Sequence, residues 1–212
     1  TPMSIQAIIF DIGGVLVRTM DRAPRQALAE QLGMTDRALE ELVFGGESGR
    51  RAQLGQITEA EQWAYACQQV GWPVEQAAEF RARFFAGDCL DTELLRYIRG
   101  WRRAYKTGLI SNGMNGTRAM IEGPWAMGEL FDAIVLSGEV GIMKPDPRIY
   151  LLALQQLQVQ PEQAVFIDDF PHNIAGAEAI GMHAIHYRDN PQLFEALERL
   201  NIARLNVDTL ER

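Results

Sequence analysis

Apolar residues along this chain follow two rhythms. Near the start, Ile5-Gln6-Ala7-Ile8-Ile9-Phe10 is a short apolar run closed by Asp11 and Gly13-Gly14, the pattern of a buried strand. From residue 21 to about 100 the spacing turns helical. Asp21 can cap a helix with Pro24 in its first turn, ending near Gly33. Thr35 opens another that carries Leu39, Leu42 and Val43 on one face. Thr58-Glu59-Ala60-Glu61 is a capping box ahead of Trp63, Ala66 and Cys67. A helix over Val74–Phe85 and one opening at Asp91 follow. No strand pattern interrupts this stretch, so an all-helical block is expected, with Trp63, Trp72, Phe80, Phe84 and Phe85 packing between its helices.

After Lys106 the rhythm reverses. Gly108-Leu109-Ile110, Ala133-Ile134-Val135-Leu136, Ala164-Val165-Phe166-Ile167 and His183-Ala184-Ile185-His186-Tyr187 are short apolar or β-branched runs. Helical stretches at Arg148–Leu157, Ile174–Ile180 and Leu193–Leu200 separate or follow them. Strands alternating with helices at this interval predict βαβ units and a parallel sheet. The first strand must join that sheet, because it cannot bury itself alone. The expected fold class is therefore α/β, a Rossmann-like doubly wound sheet with a helical block inserted after the first strand. The expected division is residues 1–18 and 101–212 for the α/β core and 19–100 for the insertion.

Composition narrows the chemistry. The 212 residues are 47% hydrophobic and 23% charged, the balance of an ordinary globular protein. A net charge of −8 argues against a nucleic-acid surface, which carries a basic excess. No apolar run approaches the ~20 residues of a membrane span, and Thr1-Pro2-Met3 lacks the basic start and long apolar stretch of a signal peptide, so none is expected. A cytoplasmic location is expected. Cys67 and Cys89 have no metal-type spacing, so neither a disulfide framework nor a zinc site is expected. Of 20 basic residues, 18 are arginine and only Lys106 and Lys144 are lysine. Each lysine in such a chain becomes a candidate for specific chemistry, although Lys106 reads as an incidental surface charge.

In an open parallel sheet, ligands bind at the carboxyl ends of the strands. Here those ends carry Asp11, Ser111-Asn112, Ser137 and Asp168-Asp169, with Lys144 following in a Gly-Ile-Met-Lys-Pro-Asp-Pro loop. A lone aspartate at a strand end is commonly a turn or cap residue. Paired aspartates are different, because like charges held together cost energy unless a cation sits among them. Mg²⁺ suits such a place, since it takes one or two carboxylates together with water and phosphate oxygens.

The joint pattern resembles the haloacid dehalogenase superfamily. It consists of Phe10-Asp11-Ile12-Gly13-Gly14-Val15-Leu16, Leu109-Ile110-Ser111-Asn112, Lys144-Pro145, and Phe166-Ile167-Asp168-Asp169 with Asn173. The likeness covers essentially the whole chain and is strongest to members with an α-helical cap, of the small sugar-phosphate phosphatase and epoxide hydrolase phosphatase-domain types. It implies that the helical block is that cap. It further implies that Asp11 is a nucleophile forming an aspartyl-phosphate, and that Ser111, with the backbone N–H groups at Asn112 and Gly113, binds phosphate. Lys144 would neutralise charge on nucleophile and phosphoryl group. Asp11, Asp169 and the Gly13 carbonyl would hold Mg²⁺, with Asp168 supporting.

One position departs from that pattern. Most phosphatases of the superfamily have a second aspartate two residues after the nucleophile, where this chain has Gly13. Glycine cannot supply general acid–base help, typically worth ~10²–10⁴-fold, so substrates with good leaving groups are expected to be favoured. His172 and Asn173 are possible substrate contacts. Arg18, Thr19 and Met20 read as linker residues that could also touch substrate. The expected activity is Mg²⁺-dependent hydrolysis of a small phosphomonoester, with a sugar phosphate as one candidate, by a monomer or homodimer acting on a small phosphorylated metabolite. The alternatives are a metal-independent 2-haloacid dehalogenase and a non-catalytic binding protein; a mutase ranks lower, because it needs an acid in place of Gly13.

Overall fold

A computed structural model describes residues 4–204; the reading of Thr1–Met3 lies outside that range. In chain order the elements are β1 (Ala7–Phe10), β2 (Val17–Thr19), α1 (Ala23–Gln31), α2 (Asp36–Phe44), α3 (Gly46–Gln53), α4 (Glu59–Gln69), α5 (Ala77–Phe84) and β3 (Asp88–Leu90). Then come α6 (Thr92–Trp101), β4 (Lys106–Ser111), α7 (Thr117–Glu122), β5 (Ala133–Leu136), α8 (Ser137–Val140), α9 (Pro147–Leu157), β6 (Ala164–Asp168), α10 (Pro171–Glu178), β7 (His183–His186) and α11 (Asn190–Arg199). Among the described residues no helix is long and apolar enough to cross a membrane.

The main sheet has the order β5-β4-β1-β6-β7, and every pair in it is parallel. β1 lies in the middle with all four residues buried, as a strand covered on both faces requires. Side chains alternate between the faces. Ile8 and Phe10 join one apolar cluster with Leu109, Val165 and Ile167, while Ala7 and Ile9 join a second with Ile110, Ala164 and Phe166. α9 supplies Ile149, Tyr150, Ala153, Leu154 and Leu157 to the second cluster. The α/β core is thus the one expected from the short apolar runs.

The insertion has its own core. Leu28, Leu39, Val43, Ala52, Trp63, Cys67, Phe80 and Phe84 are buried together, and Trp63 meets Phe84 edge-on at 5.6 Å between centroids. The capping box at Thr58 forms as expected, with both reciprocal hydrogen bonds. Two expectations need correction. First, residues 21–100 are not purely helical: they contain β3, which pairs antiparallel with β2 just before them, Val17 opposite Leu90 and Thr19 opposite Asp88. The chain leaves and re-enters the core through this ribbon. Three-residue strands exist only because each has the other, so neither shows an alternating pattern in isolation. α3 also went unpredicted, since its sequence has two glycines and only one apolar residue, Ala52.

Second, α6 packs on the sheet. Leu94, Leu95, Tyr97, Ile98 and Trp101 share the first cluster with Phe10 and Phe131, and Trp101 stacks on Phe10 at 6.5 Å. A division at residue 100 would cut this cluster, whereas the helical cluster of the insertion draws on residues 28–85 and on Met114 from the core. Lys106 also has a definite place: its Nζ donates to the Leu157 carbonyl at 2.6 Å, a cation at a helix C-terminus.

Candidate active site

Parallel pairing brings the carboxyl ends of neighbouring strands side by side. Asp11 follows β1, Ser111 ends β4, Asp168 ends β6 and Asp169 comes next; β4 and β6 flank β1 in the sheet. Lys144 enters from the loop between α8 and α9. It is 2% exposed, and its Nζ lies 2.8 Å from Asp11 Oδ1 and 2.6 Å from Asp168 Oδ2. A buried ammonium is costly unless paired, and here two carboxylates share it.

Each group is held by a neighbour. Asn112 grips the backbone of Lys144 at two points: its Oδ1 accepts from Lys144 N at 2.8 Å and its Nδ2 donates to Lys144 O at 3.0 Å. Asp168 Oδ1 accepts from Phe170 N at 2.8 Å, and Asn173 Nδ2 donates to both Asp168 oxygens at 3.0 and 3.1 Å. Asp168 is thereby fully used in holding Lys144 and the start of α10.

Asp169 is arranged differently. Its Oδ1 is buried and has no hydrogen-bond partner among the described residues. Oxygens of Asp11, Asp168 and Asp169 all lie within 4.8 Å of one another. The Asp169 carboxylate rests against Gly14, where a Cβ would sit 2.1 Å from Oδ2 and where φ is +75°; both facts call for glycine. Three carboxylates with one lysine leave a net negative charge, and a buried carboxylate oxygen without a donor is what a hard cation takes up. The residues present fit Mg²⁺, with Asp169, whose Oδ1 has no partner, and Asp11 as its carboxylates and the Gly13–Gly14 backbone beside them.

The charges perturb one another. Burial, assisted by Asp168 and opposed by Lys144, pushes the Asp11 carboxyl up from 3.8 to about 7. Burial, then Asp168, pushes Asp169 up to about 6. Burial works against the charge on Lys144, but Asp11 and Asp168 outweigh it and hold the ammonium above the usual lysine value. The metal-free folded protein therefore keeps protons on Asp11 and Asp169 that the unfolded chain loses near pH 4. Where the folded state binds more protons, stability falls as pH rises. The melting temperature measured in EDTA is expected to fall between pH 5 and pH 8. Added Mg²⁺ is expected to restore it, with the larger gain at pH 8. A melting temperature that rises over this interval in EDTA would contradict the charge arrangement.

Residues 5–181 match the haloacid dehalogenase-like hydrolase family. The chain belongs to that family. Among curated relatives, it is 29% identical to the sesquiterpene phosphatase astK of Aspergillus oryzae over 88% of this chain and 92% of that protein. It is 28% identical to mouse acyl-CoA dehydrogenase family member 10 over 89% of this chain, but spans only 18% of that protein's length. In fold it is similar to a HAD family enzyme of Bacteroides thetaiotaomicron solved in complex with magnesium and inorganic phosphate. That likeness has a TM-score of 0.74 and 23% identity, and covers 90% of this chain and all of that one.

In this hydrolase, Asp11, Lys144, Asp168 and Asp169 converge, as the strand-end argument requires. Ser111 ends the adjacent strand and is 7% exposed, with Asn112 beside it. Gly13 faces open space, with nothing within 4 Å of a Cβ built there. Asn173 is buried and its Nδ2 donates to both Asp168 oxygens, so it orients a carboxylate. His172 is exposed at the start of α10, its ring 5.4 Å from that of Phe170. Arg18 is tied to Asp91 at 2.5 Å across the ribbon, the linker role weighed for it. His183 and His186 face opposite sides of β7, so no shared metal site is expected of them, yet His186 Nε2 lies 3.0 Å from the Asp169 carbonyl oxygen. Only its place at the end of β7, beside Asp168 in the register, could have pointed to it.

Proposed function

We propose that this hydrolase is a Mg²⁺-dependent phosphomonoesterase that works through an aspartyl-phosphate on Asp11. The observation that carries the reading is the pairing of a buried Lys144 with Asp11 next to a partnerless Asp169 oxygen. That combination assembles a nucleophile and the positive charge needed to bring an anionic phosphate onto it. The A. oryzae relative is a phosphatase by name, and the Bacteroides structure holds magnesium with phosphate.

Phosphoryl transfer depends chiefly on positioning and electrostatics. Asp11, Asp169 and the Gly13 carbonyl would hold Mg²⁺, which supplies charge neutralisation as phosphate meets carboxylate. Lys144 Nζ, already on Asp11 Oδ1, lowers the repulsion between the attacking oxygen and the phosphoryl oxygens. Ser111 Oγ and the N–H groups of Asn112 and Gly113 receive those oxygens. An Asp11 oxygen then bonds to phosphorus while the ester P–O bond breaks and its electrons leave with the alkoxide. The alkoxide takes its proton from solvent; water then attacks phosphorus, the bond between Asp11 and phosphorus breaks with its electrons returning to the carboxylate, and inorganic phosphate leaves carrying the water's oxygen. The partnerless Asp169 oxygen has no such use in metal-free displacement of halide, which favours the phosphatase over the dehalogenase reading.

Because Gly13 offers no proton, esters with stable leaving groups should react faster. Phosphate release from glucose 1-phosphate, glucose 6-phosphate and p-nitrophenyl phosphate tests this. Release should require Mg²⁺ and stop in EDTA, and kcat/KM should favour the anomeric and aryl esters. Gly13→Asp has room for its side chain and should raise turnover of the 6-phosphate by about ten-fold or more. No release from any ester would overturn the activity, and equal rates on the two glucose phosphates would overturn the leaving-group argument.

A further inference from the structure

Of the four residues after Ser111, the first two contact the core and the next two the cap. Asn112 holds the Lys144 backbone. The Gly113 carbonyl accepts from Gly138 N at 3.0 Å. Met114 is buried in the cap's own apolar cluster, and Asn115 Oδ1 accepts from Glu59 N at 2.8 Å at the start of α4. Loop 112–115 therefore belongs to two bodies at once.

Ser137 closes this arrangement. Its place at the end of β5 marked it as a crevice hydroxyl, but it is fully buried and its Oγ donates to the Gln53 carbonyl at 2.6 Å. Gln53 ends α3, where the last carbonyls lack partners within the helix, so the core supplies a donor that the cap lacks. Ser137 Oγ is also 3.4 Å from the Gly113 carbonyl. Next to it the backbones nearly touch: a Cβ on Gly55, where φ is +69°, would lie 2.1 Å from the Gly138 carbonyl. The chain of contacts thus runs from α3 through Ser137 and Gly138 to Gly113, and from there through Asn112 to Lys144.

We propose that Ser137 is a positioning residue whose hydroxyl clasps the cap to the loop carrying Ser111 and Asn112, so that seating the cap and fixing Lys144 are one event. The catalytic consequence rests on the phosphatase reading; the mechanical coupling does not. Backbone hydrogen exchange reads the coupling directly, because the Lys144 amide is bonded to Asn112 Oδ1 and the Gly138 amide to Gly113. In Ser137→Ala both amides should exchange about ten-fold faster together, with β1 and β6 amides unchanged. On p-nitrophenyl phosphate, kcat should fall about ten-fold with a smaller change in KM, within the range of coupling seen between distant sites.

Leu39→Ala, in the cap cluster but away from the clasp, controls for lost stability and should leave Lys144 exchange as it was. Faster exchange at Gly138 with unchanged Lys144 would overturn the proposal, as would equal acceleration by Leu39→Ala. Should Ser137→Ala not fold, Met114→Ala loosens the same loop from the cap side and must produce the same paired acceleration. Paired acceleration in a protein whose parent releases no phosphate would uphold the clasp and overturn the phosphatase reading alone.

Discussion

Replacing Asp11 with asparagine is expected to lower phosphate release by ~10⁴-fold or more, since a neutral amide cannot form the acyl phosphate and nucleophile loss is among the most damaging changes an enzyme suffers. The same substitution should make the metal-free protein more stable at pH 8. The Asp11 carboxyl is pushed up to about 7 by burial and by Asp168, so at pH 8 the fold carries a charge it disfavours. Asparagine keeps the shape and removes that charge. Phosphate release and the melting temperature in EDTA, measured on one preparation, check both signs. Retained activity would remove Asp11 from the chemistry, and a lower melting temperature would show that Lys144 draws more stability from Asp11 than the buried carboxylates lose by repulsion.

Replacing Lys144 with methionine is expected to damage both properties. The side chain sits between two carboxylates at 2.8 and 2.6 Å, and deleting one partner of a buried charge cluster typically costs ~3–5 kcal/mol. At ~2–4 °C per kcal/mol for a chain of this size, the melting temperature should drop on the order of 10 °C. Turnover should fall with it, because the attacking carboxylate would then meet phosphate without its cation. The double variant Asp11→Asn/Lys144→Met should be more stable than the sum of the singles predicts, as it removes a carboxylate along with the lysine. Thermal unfolding of the four proteins at pH 8 completes that cycle. Strict additivity would mean that the lysine answers to Asp168 alone.

Asp168 and Asn173 illustrate how far pattern reading reaches at a site. The Asp168-Asp169 pair is visible at the end of an apolar run, and the expectation of a cation follows from like charges alone. The division of labour between the two is not visible. Asp168 Oδ2 takes Lys144, while Asp169 Oδ1 is left without a partner; only packing against Asn173 and Gly14 separates them. Asn112 likewise announces itself as a strand-end residue, but its two bonds to Lys144 connect positions 32 apart in the chain.

The succession of core strands along the chain, the doubly wound α/β class, the helical insertion and the placement of Asp11, Ser111, Asp168 and Asp169 at strand ends were all determined by the sequence. They follow from local physics: apolar periodicity, helix caps, and the glycines and aspartates that close each run. What the tertiary structure alone decided is which of these groups touch. It turned Ser137 toward a carbonyl 84 residues away, moved α6 onto the sheet and made a ribbon of two segments that are no strands by themselves. Such contacts join residues far apart in sequence, and no local pattern fixes the distance between them. The folded sheet and the packed helical insertion do.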